Sequence, residues 1–197
     1  MHPVAKHPPI IIISGAIGSG KGTILHALIH ELTLTWVKTH TTRPMRRDDH
    51  VLSHHAFDTE TTFLRYLSRG EFLESVQLST GYRYGTLKSD LTHELQLNHP
   101  IIMEINVQGG MAIAQHYPHA LLIFITTDEA TRRERIQQRG MSQDDINHRM
   151  KEATHEERLA KKEYNYLIEN VEGHPQEAIE AIKDIILKEF PSIKRAD

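Results

Sequence analysis

Apolar residues recur along this chain in three rhythms, and each rhythm predicts a different element. The run from Ile10 to Ile13 is continuous, follows Pro8 and Pro9, and stops at Ser14 and Gly15. A short β-branched run of this kind predicts a strand buried on both faces, as in a parallel sheet. From Lys21 to about Leu32, the residues Ile24, Leu25, Leu28, Ile29 and Leu32 fall on one helical stripe, so the first unit reads as strand, glycine-rich loop and helix. The apolar runs from Ile101 to Val107 and from Leu121 to Ile125 each precede another helical pattern. Such alternation predicts an α/β fold, a mostly parallel sheet flanked by helices.

Between residues 39 and 86 the rhythm shortens. Phe72, Glu74, Val76 and Leu78 alternate, with the turn residues Gly70, Gly81 and Gly85 around them, which predicts an inserted, partly β region. Residues 128–163 are densely charged, with Arg132, Arg133, Arg135, Arg139 and Arg149 among helix formers and a break near Gly140 and Ser142; two helices with a hinge are expected. A last helix begins after Pro175 and turns Ala178, Ile179, Ile182, Ile185 and Ile186 toward the core, proline being suited to a first helical turn. At 197 residues the expected organisation is a single domain. Its core comprises 8–38, 87–127 and 164–190, with the inserted region at 39–86 and the helical arm at 128–163.

Composition removes several classes of function. Hydrophobic residues make up 39% and charged residues 25%, an ordinary globular balance that excludes disordered and membrane chains. A net charge of -3 argues against a broad basic surface for nucleic acid, and the arginine-rich stretch 131–139 carries interspersed acids with little aromatic company. The absence of cysteine rules out disulfides, thiolate metal sites and a cysteine nucleophile, and suits the cytoplasm. No apolar run reaches the length of a signal peptide or a membrane span, so no membrane partner is expected. His50, His54 and His55 cluster in a polar stretch. Because no carboxylate and histidine pair stands at helical ligand spacing, solvated loop side chains explain them as well as a metal site does.

The first candidate chemistry lies at Gly15-Ala16-Ile17-Gly18-Ser19-Gly20-Lys21-Gly22-Thr23, after a buried strand and at the start of a helix, the context of a phosphate-binding loop. Gly15, Gly18 and Gly20 open dihedrals closed to other residues, so successive N–H groups can turn toward phosphate oxygens. The helix N-terminus adds partial positive charge, and Lys21 would reach the β- and γ-phosphates. Gly22 stands where such loops normally have Ser or Thr, which leaves the Thr23 hydroxyl as the candidate magnesium ligand. The bland alternative is a plain glycine turn. The second candidate is Thr39-His40-Thr41-Thr42-Arg43-Pro44-Met45-Arg46, where two guanidinium groups three residues apart could cradle a phosphate. Taken alone, a solvated basic loop reads equally well.

These segments, in this order, resemble the guanylate kinase family, whose members carry a Thr-Thr-Arg-x-x-Arg element downstream of the phosphate loop. Further matches are Glu71-Phe72-Leu73-Glu74, Tyr82-Arg83-Tyr84-Gly85-Thr86, Glu104-Ile105-Asn106-Val107-Gln108-Gly109, Arg135 through Gly140, and Ile146-Asn147-His148-Arg149. The resemblance covers nearly the whole chain and extends to the Gly-Lys-Gly-Thr ending of the loop. It implies a P-loop kinase that moves the γ-phosphoryl group of ATP, carried with Mg2+, onto GMP. ATP would lie on Gly15 to Thr23 with Arg139 and Arg149 closing over its phosphates from a lid at 128–163, and Lys21 and Arg43 would complete the catalytic set. Arg43, Arg46 and Tyr84 would hold the acceptor phosphate, Glu74 and Thr86 the guanine ring, and Thr39, Asp49, His55 and Glu104 would complete the acceptor site in 39–86 and beside it. A homo-oligomer is compatible with this reading.

The chain departs from the family pattern at several points. Arg47-Asp48-Asp49 replaces a Pro-Gly-Glu turn, so Asp49 stands in for the acid. His55 occupies the place of a tyrosine, Asn106 that of a second acid, and the spacing from Glu74 to Tyr84 is one residue longer. Two alternatives remain: a kinase of a phosphorylated sugar such as ribose 1,5-bisphosphate, and a catalytically silent binding module. Retention of Glu74 and Thr86 argues against the first. Lys21 and the paired arm arginines argue against the second.

Overall fold

The computed structural model describes residues 7–45, 55–138 and 140–196. The chain opens with β1 (Ile10–Gly15), α1 (Lys21–Glu31) and β2 (Thr35–Trp36). It continues through β3 (Thr39–Thr41), β4 (His55–Phe57), α2 (Glu60–Ser68), β5 (Phe72–Gln77) and β6 (Arg83–Leu87). Helices and strands then alternate as α3 (Lys88–Gln96), β7 (Ile101–Glu104), α4 (Val107–His116) and β8 (Leu121–Thr126). The helices α5 (Glu129–Gln138) and α6 (Gln143–Glu163) follow, and β9 (Tyr166–Glu169) and α7 (Pro175–Glu189) complete the order.

Five strands form one sheet in the order β2-β7-β1-β8-β9, with every neighbouring pair parallel. Parallel pairing needs a crossover between strands, which the intervening helices supply. Strand β1 sits at the centre, and its period of two sorts the isoleucines. Ile10 and Ile12 join Met103, Leu122 and Phe124 under α4 and α6. Ile11 and Ile13 join Ile123 and Ile125 under α1 and α7. The run from Ile10 to Ile13 is therefore buried on both faces, as its unbroken apolarity predicts. No helix among the described residues is long and apolar enough to cross a membrane.

The inserted region forms a second sheet of order β4-β3-β6-β5, parallel between β3 and β4 and antiparallel elsewhere. It has a small core of its own, Phe63, Phe72 and Leu87. The alternating pattern stops earlier than its apolar residues suggest. Leu78 lies beyond β5, in the turn where its N–H bonds Tyr82 O at 2.9 Å and the Gly81 N–H returns to Leu78 O. Similarly, the run from Ile101 to Val107 is not one strand. Asn106 accepts from Gly109 N at 2.7 Å and caps α4, so the strand ends at Glu104 and Val107 is already helical. In α7, Ala178, Ile179, Ile182 and Ile186 are buried while Ile185 is half-buried.

One buried network ties the central strand to the far end of α6. Ser14 Oγ donates to Ile105 O at 2.5 Å, and a hydroxyl has a single proton. The 2.6 Å contact between Ser14 Oγ and Tyr164 OH is therefore donated by the tyrosine. Burial pushes the Tyr164 hydroxyl well above its ordinary value, so it remains a donor at any physiological pH. Replacing Tyr164 with Phe leaves the Ser14 to Ile105 bond in place. Chemical denaturation of Tyr164→Phe is expected to show a loss of about 1 kcal/mol, the net worth of one neutral buried hydrogen bond; an unchanged midpoint would remove the hydroxyl from the account.

Candidate active site

The loop between β1 and α1 is shaped by two different uses of glycine. Gly18 and Gly20 take φ of 79° and 84°, the left-handed region in which other residues are strained. Gly15 does not, contrary to the expectation that all three supply unusual dihedrals. Its reason is space, because a Cβ there would lie 2.3 Å from Ile125 O of the neighbouring strand. Two side chains then hold loop carbonyls in place. Asn170 Nδ2 donates to Ser19 O at 2.8 Å, and Arg135 Nη1 donates to Gly18 O at 2.8 Å while also pairing with Glu172. No side chain caps the N-terminus of α1, so its first N–H groups remain available to an anion.

Lys21, the first residue of α1, folds back to donate from Nζ to Gly15 O at 2.6 Å and Ala16 O at 3.1 Å. Ala16 and Ser19 are fully buried, and Ser19 Oγ has no hydrogen-bond partner. Gly22 and Thr23 continue the first turn, with Thr23 exposed. Ile17 packs into a small apolar cluster with Ile136, Ile146 and Met150, so the loop tip and the helical arm share one core.

On that arm Arg149 Nη1 donates to Glu152 Oε2 at 2.8 Å. Glu156 lies in the field of Lys21 and Arg149, beside the acids Glu152 and Glu157. Burial raises its carboxyl above the ordinary value, Lys21 and Arg149 working against that rise and the two acids adding to it. Arg132 is buried between Thr126 and Glu157, which it contacts through Nη1. Arg139 lies outside the described residues.

The residues expected on the acceptor side stand largely on β3, β5 and β6. Glu74 and Thr86 stand directly opposite each other on β5 and β6, and Thr86 Oγ1 donates to Glu74 Oε1 at 2.7 Å. Glu74 is 8% exposed and Thr86 wholly buried, so this carboxylate is not a solvent-facing strand residue. Burial raises its carboxyl above the ordinary value, partly offset by the side-chain and backbone bonds from Thr86. Its Oε2 lies over α4, where a Cβ on Gly109 would come within 2.8 Å of it. Thr39 Oγ1 bonds His55 Nδ1 at 2.7 Å, and the His55 ring meets the Tyr84 ring edge-on at 5.7 Å.

Arg43 is buried, with Nη1 donating to Pro44 O at 2.9 Å and its guanidinium 5.2 Å from the centre of the Phe57 ring. Glu104 ends β7 in register with Ile13 of β1, which puts it at the same edge of the sheet as the glycine loop. That edge, at the carboxyl ends of parallel strands, is where open α/β sheets bind ligands. Arg46 and Asp49 lie outside the described residues, as do His50 and His54. Among the described residues no group of three or more His, Cys, Asp or Glu side chains could hold a metal ion.

Several contributors have no role in the sequence reading: Ser14, Tyr164, Asn170, Arg132 and Glu156. Asn170 carried a usable signal, a polar residue just past the last apolar parallel strand. Arg132 stands four residues before the buried Ile136 and so shares its helical face. Nothing local marks the other three.

Comparison with known proteins identifies the family. A protein-family model described as guanylate kinase matches residues 7–189. A guanylate kinase from Caldanaerobacter subterraneus is 33% identical over 195 residues, covering 98% of this chain and 93% of that protein. One from Halalkalibacterium halodurans is 32% identical over 183 residues, covering 91% and 88%. The crystal structure of guanylate kinase from Anaplasma phagocytophilum superposes with a TM-score of 0.70 at 22% identity, covering 95% of this chain and 88% of that one, a likeness of fold.

The Glu74 environment has a testable cost. Its carboxyl is raised in the folded protein, so stability attributable to it is complete below the ordinary value of 4.5 and is lost as pH rises through the folded value. Glu74→Gln keeps an oxygen for Thr86 and removes the charge. Thermal melting should show the variant more stable than the parent at pH 7, with the gap closing below pH 4.5. A parent more stable than the variant at pH 7 would contradict the burial argument.

Proposed function

As a member of the guanylate kinase family, this chain is an ATP-dependent nucleotide kinase, and we propose that its acceptor is GMP, converted with ATP to GDP and ADP. The observation that carries this reading is the buried pair of Glu74 and Thr86. A carboxylate accepts from guanine N1–H and its exocyclic amine, and as the base takes over Glu74 the single proton of the Thr86 hydroxyl turns from that carboxylate to O6. Adenine would put a lone pair opposite the carboxylate. dGMP fits the same base contacts and would be a weaker acceptor.

The transfer needs no covalent nucleophile. An oxygen of the acceptor phosphate attacks the γ-phosphorus in line, and the protein contributes alignment and charge neutralisation. Gly15 to Thr23 cradle the ATP phosphates through backbone N–H groups. Lys21 exchanges its two carbonyl partners for β- and γ-phosphate oxygens. Arg43, Arg46 and Tyr84 hold the acceptor phosphate, with Thr39, Asp49, His55 and Glu104 completing that site. The expected lid at 128–163 is narrowed to the part around Arg139 and Arg149, since Ala153 and Ala160 of α6 belong to the main core; that part brings the two arginines onto the donor phosphates and excludes water. The oxygen-only character of the nearby hydroxyls, Ser19 buried without a partner and Thr23 exposed, suits a hard cation such as Mg2+. When bound with ATP, with Thr23 as its protein ligand, that ion neutralises phosphate charge.

Two measurements test this. Lys21→Ala should lower kcat by about a hundredfold or more with the fold retained, since loss of one preorganised charge commonly costs that much; near-parental turnover would end the phosphate-loop mechanism. A coupled ADP-release assay with GMP, AMP, UMP and ribose 1,5-bisphosphate should show kcat/KM for GMP exceeding that for AMP by up to about 10⁴, the penalty of leaving a buried carboxylate unpaired. Preference for the sugar bisphosphate would make the protein a sugar-phosphate kinase, and no turnover with any acceptor would make it a silent binding module.

A further inference from the structure

The two faces of β3 carry different contacts. On one, Thr39 Oγ1 bonds His55 Nδ1 at 2.7 Å, and Thr41 Oγ1 donates to Arg83 O at 2.9 Å while accepting from Arg43 N at 3.1 Å. That face therefore holds His55 and the start of Arg43, both expected at the acceptor. Successive side chains of a strand point to opposite faces, so His40 lies on the other. It is buried, with Ala56 of β4 and Gly85 of β6 as its strand partners.

Both nitrogens of the His40 ring face carboxylates. Nδ1 lies 2.7 Å from Asp58 Oδ2, and Nε2 lies 3.1 Å from Asp90 Oδ2. Asp58 follows β4 and is tied to β3 a second time, its N–H donating to Thr41 O at 2.8 Å. Asp90 stands in the first turn of α3, where Ser89 Oγ donates to its other oxygen at 3.2 Å. The ring also meets Tyr66 of α2 and Phe72 of β5 edge-on, and Tyr66 in turn has the Arg65 guanidinium 5.6 Å from its ring centre.

An ionised carboxylate only accepts hydrogen bonds, and a neutral imidazole has a single N–H. Neutral His40 can therefore serve one of its two acids and turns a lone pair toward the other, whereas the imidazolium form serves both. We infer that His40 is a positioning residue for the acceptor site: protonated, it clamps the back of β3 between Asp58 and Asp90 and so fixes Thr39, Thr41 and the Arg43 that follows them. On losing a proton it releases one acid, and the hold on the acceptor nucleotide weakens. This rests on the reading that β3 and Arg43 serve the acceptor phosphate.

The test is kcat and KM for GMP at saturating ATP, measured from about pH 5.5 to 9, a range chosen to span a histidine's change of charge, in the parent protein, Asp90→Asn and Asp58→Asn. An asparagine at either place offers an amide N–H to the bare ring nitrogen, so a neutral ring keeps both bonds. GMP and the other side chains titrate alike in all three proteins, so the ratio of parent to variant KM isolates the clamp. That ratio should rise with pH by about fivefold, the effect of one net hydrogen bond, with little change in the ratio of kcat values. The rise should track the loss of the His40 ring proton followed by NMR. A KM ratio that stays flat with pH for both variants, with GMP still turned over, would overturn this inference alone; a clamp that is only structural would do this while shifting the melting temperature. Failure of the parent protein to use GMP at any pH would overturn the acceptor reading and this inference with it.

Discussion

The close approach of the end of β1 to β8 is the constraint on which the site depends. At Gly15 a carbonyl of the neighbouring strand occupies the space of any side chain, 2.3 Å from where a Cβ would stand. The chain can therefore leave the sheet edge without a bulge and turn at once into the loop and α1. The side chains around the loop inherit their place from that turn. Lys21 is anchored to Gly15 O, Asn170 reaches Ser19 O from the end of β9, and Arg135 reaches Gly18 O from α5. The loop is thus held by the sheet and by the helical arm together. A single displaced carbonyl would move all three anchors.

The acceptor side solves a different problem. Recognition of a base edge asks for a carboxylate out of water, and burial without a cationic partner is costly. Thr86 supplies one hydrogen bond to Glu74, and the backbone of Thr86 assists. Under the proposed GMP reading, that cost is what makes a base without an N1–H expensive. The small core of Phe63, Phe72 and Leu87 draws on the same two strands, β5 and β6, while the carboxylate itself rests over Gly109 of α4.

What the sequence discloses follows from how local each feature is. The strand from Ile10, the glycine loop and α1 are contiguous, and their periodicity and punctuation suffice to place them. Alternation puts Glu74 on the face of Phe72, opposite the exposed Ser75 and Gln77, but a carboxylate is by residue type a solvent-facing side chain; the order of motifs around it carried the reading of a buried one. Tyr164 and Asn170 escaped notice because their partners, Ser14 and Ser19, lie at the other end of the chain. Asn106 looked like a lost acid, whereas its first duty is to cap α4. Arg46, Asp49 and Arg139 rest on the motif reading alone, since they fall outside the described residues.

The sheet order has a consequence for how the molecule is made. Strand β1 is synthesised early, yet its partners are Ile101 to Glu104 and Leu121 to Ile125. Until those segments leave the ribosome, an unbroken isoleucine run has no strand to pair with. Long-range parallel pairing of this kind is slow and leaves apolar surface open to aggregation. The loop after β1 gains its brace from Asn170 to Ser19 O only once β9 has formed, so its final shape waits on a segment made 151 residues later.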